Sequence, residues 1–128
     1  MNAFNVCVPL YSGGTIAVGT AYDLAFKVPS DDIGGGVTIV AAGISSRLAI
    51  GAGSAPVFEL VTLGTDSAVN GTLGTVAAGA FTAGTVKALT ITSDWAESPY
   101  YVAFKNMGTA VNGDETYING YIQYVMGK

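Results

Sequence analysis

"AYDLAFKVP", residues 21 to 29, alternates apolar and polar side chains along most of its length. This period of two is typical of a half-buried β-strand, because successive side chains of a strand point to opposite faces. The following "PSDDIGGG", residues 29 to 36, is a turn, since three consecutive glycines permit positive φ at little steric cost. One predicted face holds Tyr22, Leu24, Phe26 and Val28, and the other holds Asp23, Ala25 and Lys27.

The same short alternation recurs along the whole chain, and helical periodicity is nearly absent. Gly-rich or Asn-Gly turns separate the segments every eight to twelve residues or so, which favours an antiparallel β-sandwich over an open sheet. We therefore predict an all-β fold with about eight or nine short strands, jelly-roll-like, in a single domain spanning residues 1 to 128. The other main candidate strands are "VTIVAA" (37 to 42), "VFELVTL" (57 to 63), "TVKALTIT" (85 to 92), "YYVAFKN" (100 to 106) and residues 116 to 126.

Both ends of the chain are unusually apolar, although chain ends usually fray. At the start, residues 1 to 12 are interpreted as an N-terminal edge strand or arm, because Pro9 cannot donate to a sheet ladder. An arm of this kind can add itself to a neighbour's sheet. Its candidate interface face comprises Phe4, Val6, Val8 and Leu10.

The closing segment, "INGYIQYVMGK" at 118 to 128, predicts a strand with two apolar faces. The residues assigned to the core are Ile118, Ile122, Tyr124 and Met126. A lone monomer is expected to place polar residues on the other face, so that face is predicted to meet a neighbouring layer or subunit. Its candidate interface residues are Tyr117, Tyr121 and Val125.

Charge is scarce in this chain, with five basic and nine acidic residues and a net charge of -4. Nucleic-acid binding is not expected, because it requires clustered Lys and Arg. The shortage of surface charge indicates burial in an assembly, or else a surface in which Gly and Ala raise the hydropathy without forming apolar patches. No membrane span is predicted, since the uncharged stretches 1 to 22 and 67 to 86 are interrupted by Asn and Gly.

The numbers of cysteine and histidine residues limit the disulfides and metal sites that the chain can form. Cys7 is the single cysteine and histidine is absent, so an intrachain disulfide and a cysteine zinc cluster are excluded. The first positive charge is Lys27, so the basic region of a secretory signal is missing and we expect synthesis in the cytoplasm.

No catalytic motif is found, and we predict neither an enzyme nor a cofactor. Nucleophilic triads normally need histidine, and the phosphate-binding and dinucleotide-binding glycine motifs are missing. A paired-carboxylate glycosidase using Glu59, Asp94 and Glu97 is the remaining catalytic alternative. Acidic pairs in turns can bind calcium, but adjacent acids are also ordinary turn formers. The pairs are Asp31 with Asp32 and Asp114 with Glu115.

One aromatic group stands out in and beside the predicted loop "SDWAESP", residues 93 to 99. Trp95, Tyr100 and Tyr101 form a candidate exposed aromatic loop that can stack on a sugar or anchor a partner. The alternative is that Trp95 folds back and covers one end of the fold.

Three segments resemble small virion proteins of tailed bacteriophages, most closely the capsid decoration (cement) proteins. The likeness comprises an early strand leading to a Val-Pro turn, a hairpin pair, and a last strand of the form G-x-I-Q-Y-x-x-G. It covers about half of the chain. The segments are "YDLAFKVPSDDI" (22 to 33), "PVFELVTLGTDSAVNGTLGT" (56 to 75) and "YYVAFKNMGTAVNGDETYINGYIQYVMGK" (100 to 128).

The resemblance implies a structural protein on the outside of a capsid, made in the bacterial host and carried in the virion. Its expected partners are the major capsid protein and further copies of itself, as a homotrimer. Two alternatives stay open from the sequence: a tail, baseplate or fibre component, and a carbohydrate-binding β-sandwich that uses the aromatic loop.

Overall fold

The computed structural model describes residues 3–9, 15–16, 21–29, 35–64, 69–76, 79–98, 100–112 and 117–127. These residues form eleven β-strands and one 3₁₀ turn, Ala52–Ser54, and no α-helix. Among them there is no helix with the length and apolarity needed to cross a membrane. The strands are β1 Phe4–Pro9, β2 Thr15–Ile16, β3 Ala21–Lys27, β4 Gly36–Ser45, β5 Phe58–Leu63, β6 Val69–Val76, β7 Val86–Ile91, β8 Trp95–Glu97, β9 Tyr101–Asn106, β10 Val111–Asn112 and β11 Asn119–Met126.

Nine of these strands belong to one antiparallel sheet, in the order β1-β11-β4-β7-β6-β5-β9-β3, with β8 on β4. The remaining two, β2 and β10, pair with each other. The prediction of an all-β antiparallel fold is confirmed. The structure has more strands than predicted because β2, β8 and β10 are two or three residues long. Alternation cannot be recognised over so few residues.

The sheet curls because β7 changes partner along its length. Its first part, Val86–Ala88, pairs with β4, and its second part pairs with β6. At the far ends of the sheet, β1 and β3 approach to within 8 Å between Cα atoms. The sheet thus has a first half (β1, β11, β4, β8 and the start of β7) and a second half (β6, β5, β9 and β3). A jelly-roll-like sandwich stays a prediction.

The inner faces of the two halves meet around Phe104 of β9. Its ring packs edge to face against Phe58 of β5, with ring centroids 6.5 Å apart. Across the core it lies on Gly120 of β11, where an added Cβ would be 2.6 Å from its Cε2 atom. Only a residue without a side chain fits under this ring. Other fully buried members of the core include Val37, Ile44, Leu60, Val76, Phe81, Val102, Ile118 and Ile122.

The N-terminal strand is an edge strand of its own sheet in this structure. β1 runs antiparallel to β11, with Phe4 opposite Tyr124 and Val6 opposite Ile122. Val6 packs on the core, and the ring of Phe4 stacks on that of Tyr124 at 5.5 Å. Of the predicted interface residues, Val6 therefore packs on the core, whereas Phe4 lies on the same side of the strand but stays 49% exposed. The side chain of Val8 and the whole of Leu10 lie outside the described residues.

A buried asparagine organises the end of β9. Asn106 is fully buried, and its Oδ1 accepts hydrogen bonds from the backbone N–H groups of Val57 (3.2 Å) and Gly108 (3.0 Å). Its Nδ2 donates to the carbonyl of Thr109 at 2.9 Å. The loop after β9 is thereby held against the residues that precede β5.

Candidate protein interface

The last strand uses both of its faces, as the sequence predicts. Ile118 and Ile122 are fully buried, and Tyr124 and Met126 pack on the same core. Tyr121, on the opposite side, is partly buried. A register shift between Gln123 and Tyr124 leaves Val40 of β4 as an extra residue that is 51% exposed. Because the bulge takes up one residue of β4, Ile39 and Ala42 both lie on the core side, opposite Tyr124 and Ile122.

Outward-facing residues of the first half form one continuous surface, which we call the uncharged face. Residues directly opposite each other in an antiparallel sheet share a face, so the register defines it. One row runs from Cys7 through Tyr121 and Gly43 to Ala88. Apart from Glu97, which lies opposite Gly36 at the end of the face, none of its described members carries a charge. They are Asn5, Cys7, Thr38, Val40, Ala41, Gly43, Ser45, Val86, Ala88, Trp95, Asn119, Tyr121, Gln123 and Val125.

Tyr121 lies at the middle of this face because Gly43 leaves room for its ring. A Cβ at position 43 would collide with Cε1 of Tyr121 and would stand 2.8 Å from Cγ1 of Val86. The ring therefore lies across β4 and approaches Val86, which is 50% exposed. The side chains along this strip are apolar and project little from the sheet. A neighbouring sheet could therefore approach it closely.

The structure corrects the predicted position of Trp95. It is not in a loop, because it begins the short strand β8 and pairs with Thr38. Its ring lies over Gly36, where an added Cβ would be 2.9 Å from Cζ2. Val125 is the other neighbour of Thr38, so Trp95 and Val125 flank the same residue of the uncharged face. The sequence alone had placed these two residues in separate sites.

The predicted cluster of Trp95, Tyr100 and Tyr101 is not assembled. Tyr101 lies in β9 of the second half, opposite Leu63 and Lys27, and its ring is 6.0 Å from the Lys27 ammonium. There it packs on a small buried cluster of Val61, Leu63 and Ala103. Since the inner faces of the two halves meet, Trp95 and Tyr101 point away from each other. They cannot form one stacking platform in this fold.

Tyr117 has a different setting from the other predicted interface residues. It precedes β11 and is 41% exposed, and it has a positive φ of 47°. Its ring lies 4.9 Å from the guanidinium carbon of Arg47, which is a cation–π arrangement. Tyr117 therefore lies beside a charged residue, just before the part of β11 that contributes to the uncharged face.

The candidate carboxylates are distributed over both halves. Glu59 lies on the outer face of the second half, opposite Lys105 and Thr75. Glu97 lies in β8 opposite Gly36, at the end of the uncharged face, and Asp94 precedes that strand. The turn acids at 31, 32, 114 and 115 lie outside the described residues. In the part of the chain that is described, no three His, Cys, Asp or Glu side chains gather as a metal site.

Comparison with known proteins gives no relative for this chain. No protein-family model matches it, and neither a curated protein nor a solved structure is found to be similar. The uncharged face is the feature of the described residues that most needs an explanation, because exposed apolar sheet surface is costly in water.

Proposed function

We propose that this chain is a structural virion protein of a tailed bacteriophage, which binds the outside of the capsid and stabilises it. The observation that carries the proposal is the uncharged face on the first half of the sheet, because it favours a chain that works as part of an assembly. The sequence resemblance to decoration proteins supports the kind of assembly. In this proposal the chain stabilises the capsid by contacting other proteins.

A surface of this kind favours an assembled protein over a free monomer. Soluble monomers usually intersperse charges of both signs over their surface, and contiguous exposed apolar area marks a contact site. Here Val40 and Val86 are each about half exposed, and Tyr121 lies between strands with no charged neighbour on its face. Burial against another protein removes this apolar area from water.

The proposed partners are the major capsid protein and further copies of the chain, as a homotrimer. Multiple copies on a repeated lattice bind with avidity, because each bound subunit raises the effective concentration of the next contact. Modest individual contacts are then enough to brace neighbouring shell subunits. A continuous buried core that includes Phe104 offers a rigid body for that purpose.

The first expected result concerns heat resistance of the particle. Capsids that lack the protein should release their DNA at a lower temperature than complete capsids, and adding the purified chain should restore the difference. A dye that fluoresces on released DNA measures this during heating. A surface variant that keeps the uncharged face, Thr72→Asp on exposed β6, is the matched control and should restore resistance equally well.

Immunogold labelling distinguishes the proposal from its virion-borne alternative. Label on the shell agrees with a decoration protein. Label confined to the tail, with unchanged heat resistance and impaired adsorption to cells, would replace the proposal by a tail, baseplate or fibre component.

A further inference from the structure

We infer that the uncharged face is the surface through which copies of this chain contact one another, with Tyr121 and Cys7 at its centre. The inference rests on the proposed function in treating this face as an assembly surface. It adds the occupant, which is a second copy of the chain and not the shell protein.

Charge is the first argument for a second copy. The chain has a net charge of -4, so two copies repel each other unless they meet where charges are absent. Among the described charged residues, Lys27, Glu59 and Lys105 belong to the second half. In the first half, Glu97 lies opposite Gly36 at one end of the uncharged face, and Arg47 lies beyond Ser45 at the other end. Lys87 faces the other way, over the ring of Phe81 at 4.6 Å. The uncharged face thus permits approach without pairing like charges, as long as Glu97 stays at the rim of the contact.

The chemistry of the occupant follows from the same observation. A charged partner surface would lose its hydration against this face without gaining a countercharge, which is unfavourable. The occupant must therefore itself be uncharged and partly apolar. A second copy of the chain carries such a surface, and most soluble oligomers are built from copies of one chain.

The dimensions of the face are sufficient for a contact between copies. Four strands about 4.8 Å apart, with about eight residues at about 3.3 Å each, give roughly 19 by 26 Å, or about 500 Å² for each copy. The total of about 1,000 Å² reaches the size expected of a biological interface. Gly43, Ala41 and Ala88 keep the middle of the face low, which allows a second sheet to pack at about 10 Å.

Cys7 provides a native probe of this contact. It is the only cysteine of the chain, it is exposed, and it lies directly opposite Tyr121. Contact between copies through the uncharged face would cover its thiol. Alkylation would then slow by about tenfold when about nine in ten copies are assembled, because only free copies react.

The test measures mass by light scattering and the rate of Cys7 alkylation by a maleimide, over a range of concentrations of the purified chain. We expect an oligomer whose formation protects Cys7. Tyr121→Asp should give a folded monomer with fast alkylation at all concentrations. The control Thr72→Asp adds the same charge to the outer face of the second half and should leave the oligomer intact.

A second measurement does not require a variant to fold. Wild-type protein labelled at Cys7 in dilute solution with a bulky maleimide should stay monomeric when it is concentrated.

A monomer at every concentration would overturn the inference, as would an oligomer that tolerates both Tyr121→Asp and the bulky label. An unlabelled monomer that still protects capsids from heat would overturn this inference and leave the proposed function standing. An oligomer that assembles through this face but gives capsids no protection would overturn the proposed function and leave this inference standing.

Discussion

Replacing Asn106 with Ala is expected to lower the free energy of unfolding by about 3 kcal/mol or more. The side chain is fully buried and satisfies two backbone N–H groups and one carbonyl, all at 3.2 Å or less. The three backbone groups that lose their partner are partly buried, and each of them that water cannot reach costs about 1 to 3 kcal/mol. A domain of this size is stable by only about 5 to 15 kcal/mol, so the change is a large fraction of the total.

Urea unfolding followed by circular dichroism measures this effect, and an unchanged slope would show that the transition stays comparable. Asn119→Ala is the matched control, because that side chain donates one exposed hydrogen bond, to the Tyr117 carbonyl at 3.2 Å. It should change stability by no more than about 0.5 kcal/mol. Equal effects of the two substitutions would mean that the buried network does not hold the loop after β9.

Gly120→Ala is the second substitution with a large expected effect, a loss of about 1 to 3 kcal/mol. The new methyl group would lie 2.6 Å from Cε2 and 2.8 Å from Cζ of Phe104. That ring is fully buried and packs against Phe58, so it has little space to move. The added carbon must push the two halves of the sheet apart.

Two further variants test this explanation. Gly43→Ala also introduces a close contact, but with Tyr121 and Val86 on the surface, where the side chains can turn away, and it should cost less. Combining Gly120→Ala with Phe104→Leu should cost at least about 0.5 kcal/mol less than the sum of the single changes, because the smaller side chain removes the collision. Strict additivity would contradict the contact between β11 and β9 across the core.

Strands long enough to show alternation were predictable from the sequence. β3 and β11 are examples, since each follows a clear period of two. The core side of β11 is as predicted, but Tyr117, which was assigned to its other face, lies before the strand. The short strand β8 was not predictable. Its three residues, Trp95–Glu97, lie between turn-forming residues, so the local pattern favours a loop.

The candidate interface was only partly predictable for the same reason. Tyr121 and Val125 follow from alternation along one strand, but the packing of Val6 on the core is seen only when β1 pairs with β11. The contributions of Cys7, Gly43 and Trp95 to the uncharged face carry no local signal. Each depends on which strands lie side by side.

Side-chain alternation is a local property of the backbone, and it was enough to predict an all-β chain and the two faces of its last strand. Strand pairing is not local: β11 lies between β1 and β4, and β3 pairs with β9, over most of the length of the chain. Those pairings depend on burial of the common core, which no single segment can achieve alone. Tertiary structure therefore decided the roles of Gly120 and Asn106, separated Trp95 from Tyr101, and gathered the uncharged face from distant strands.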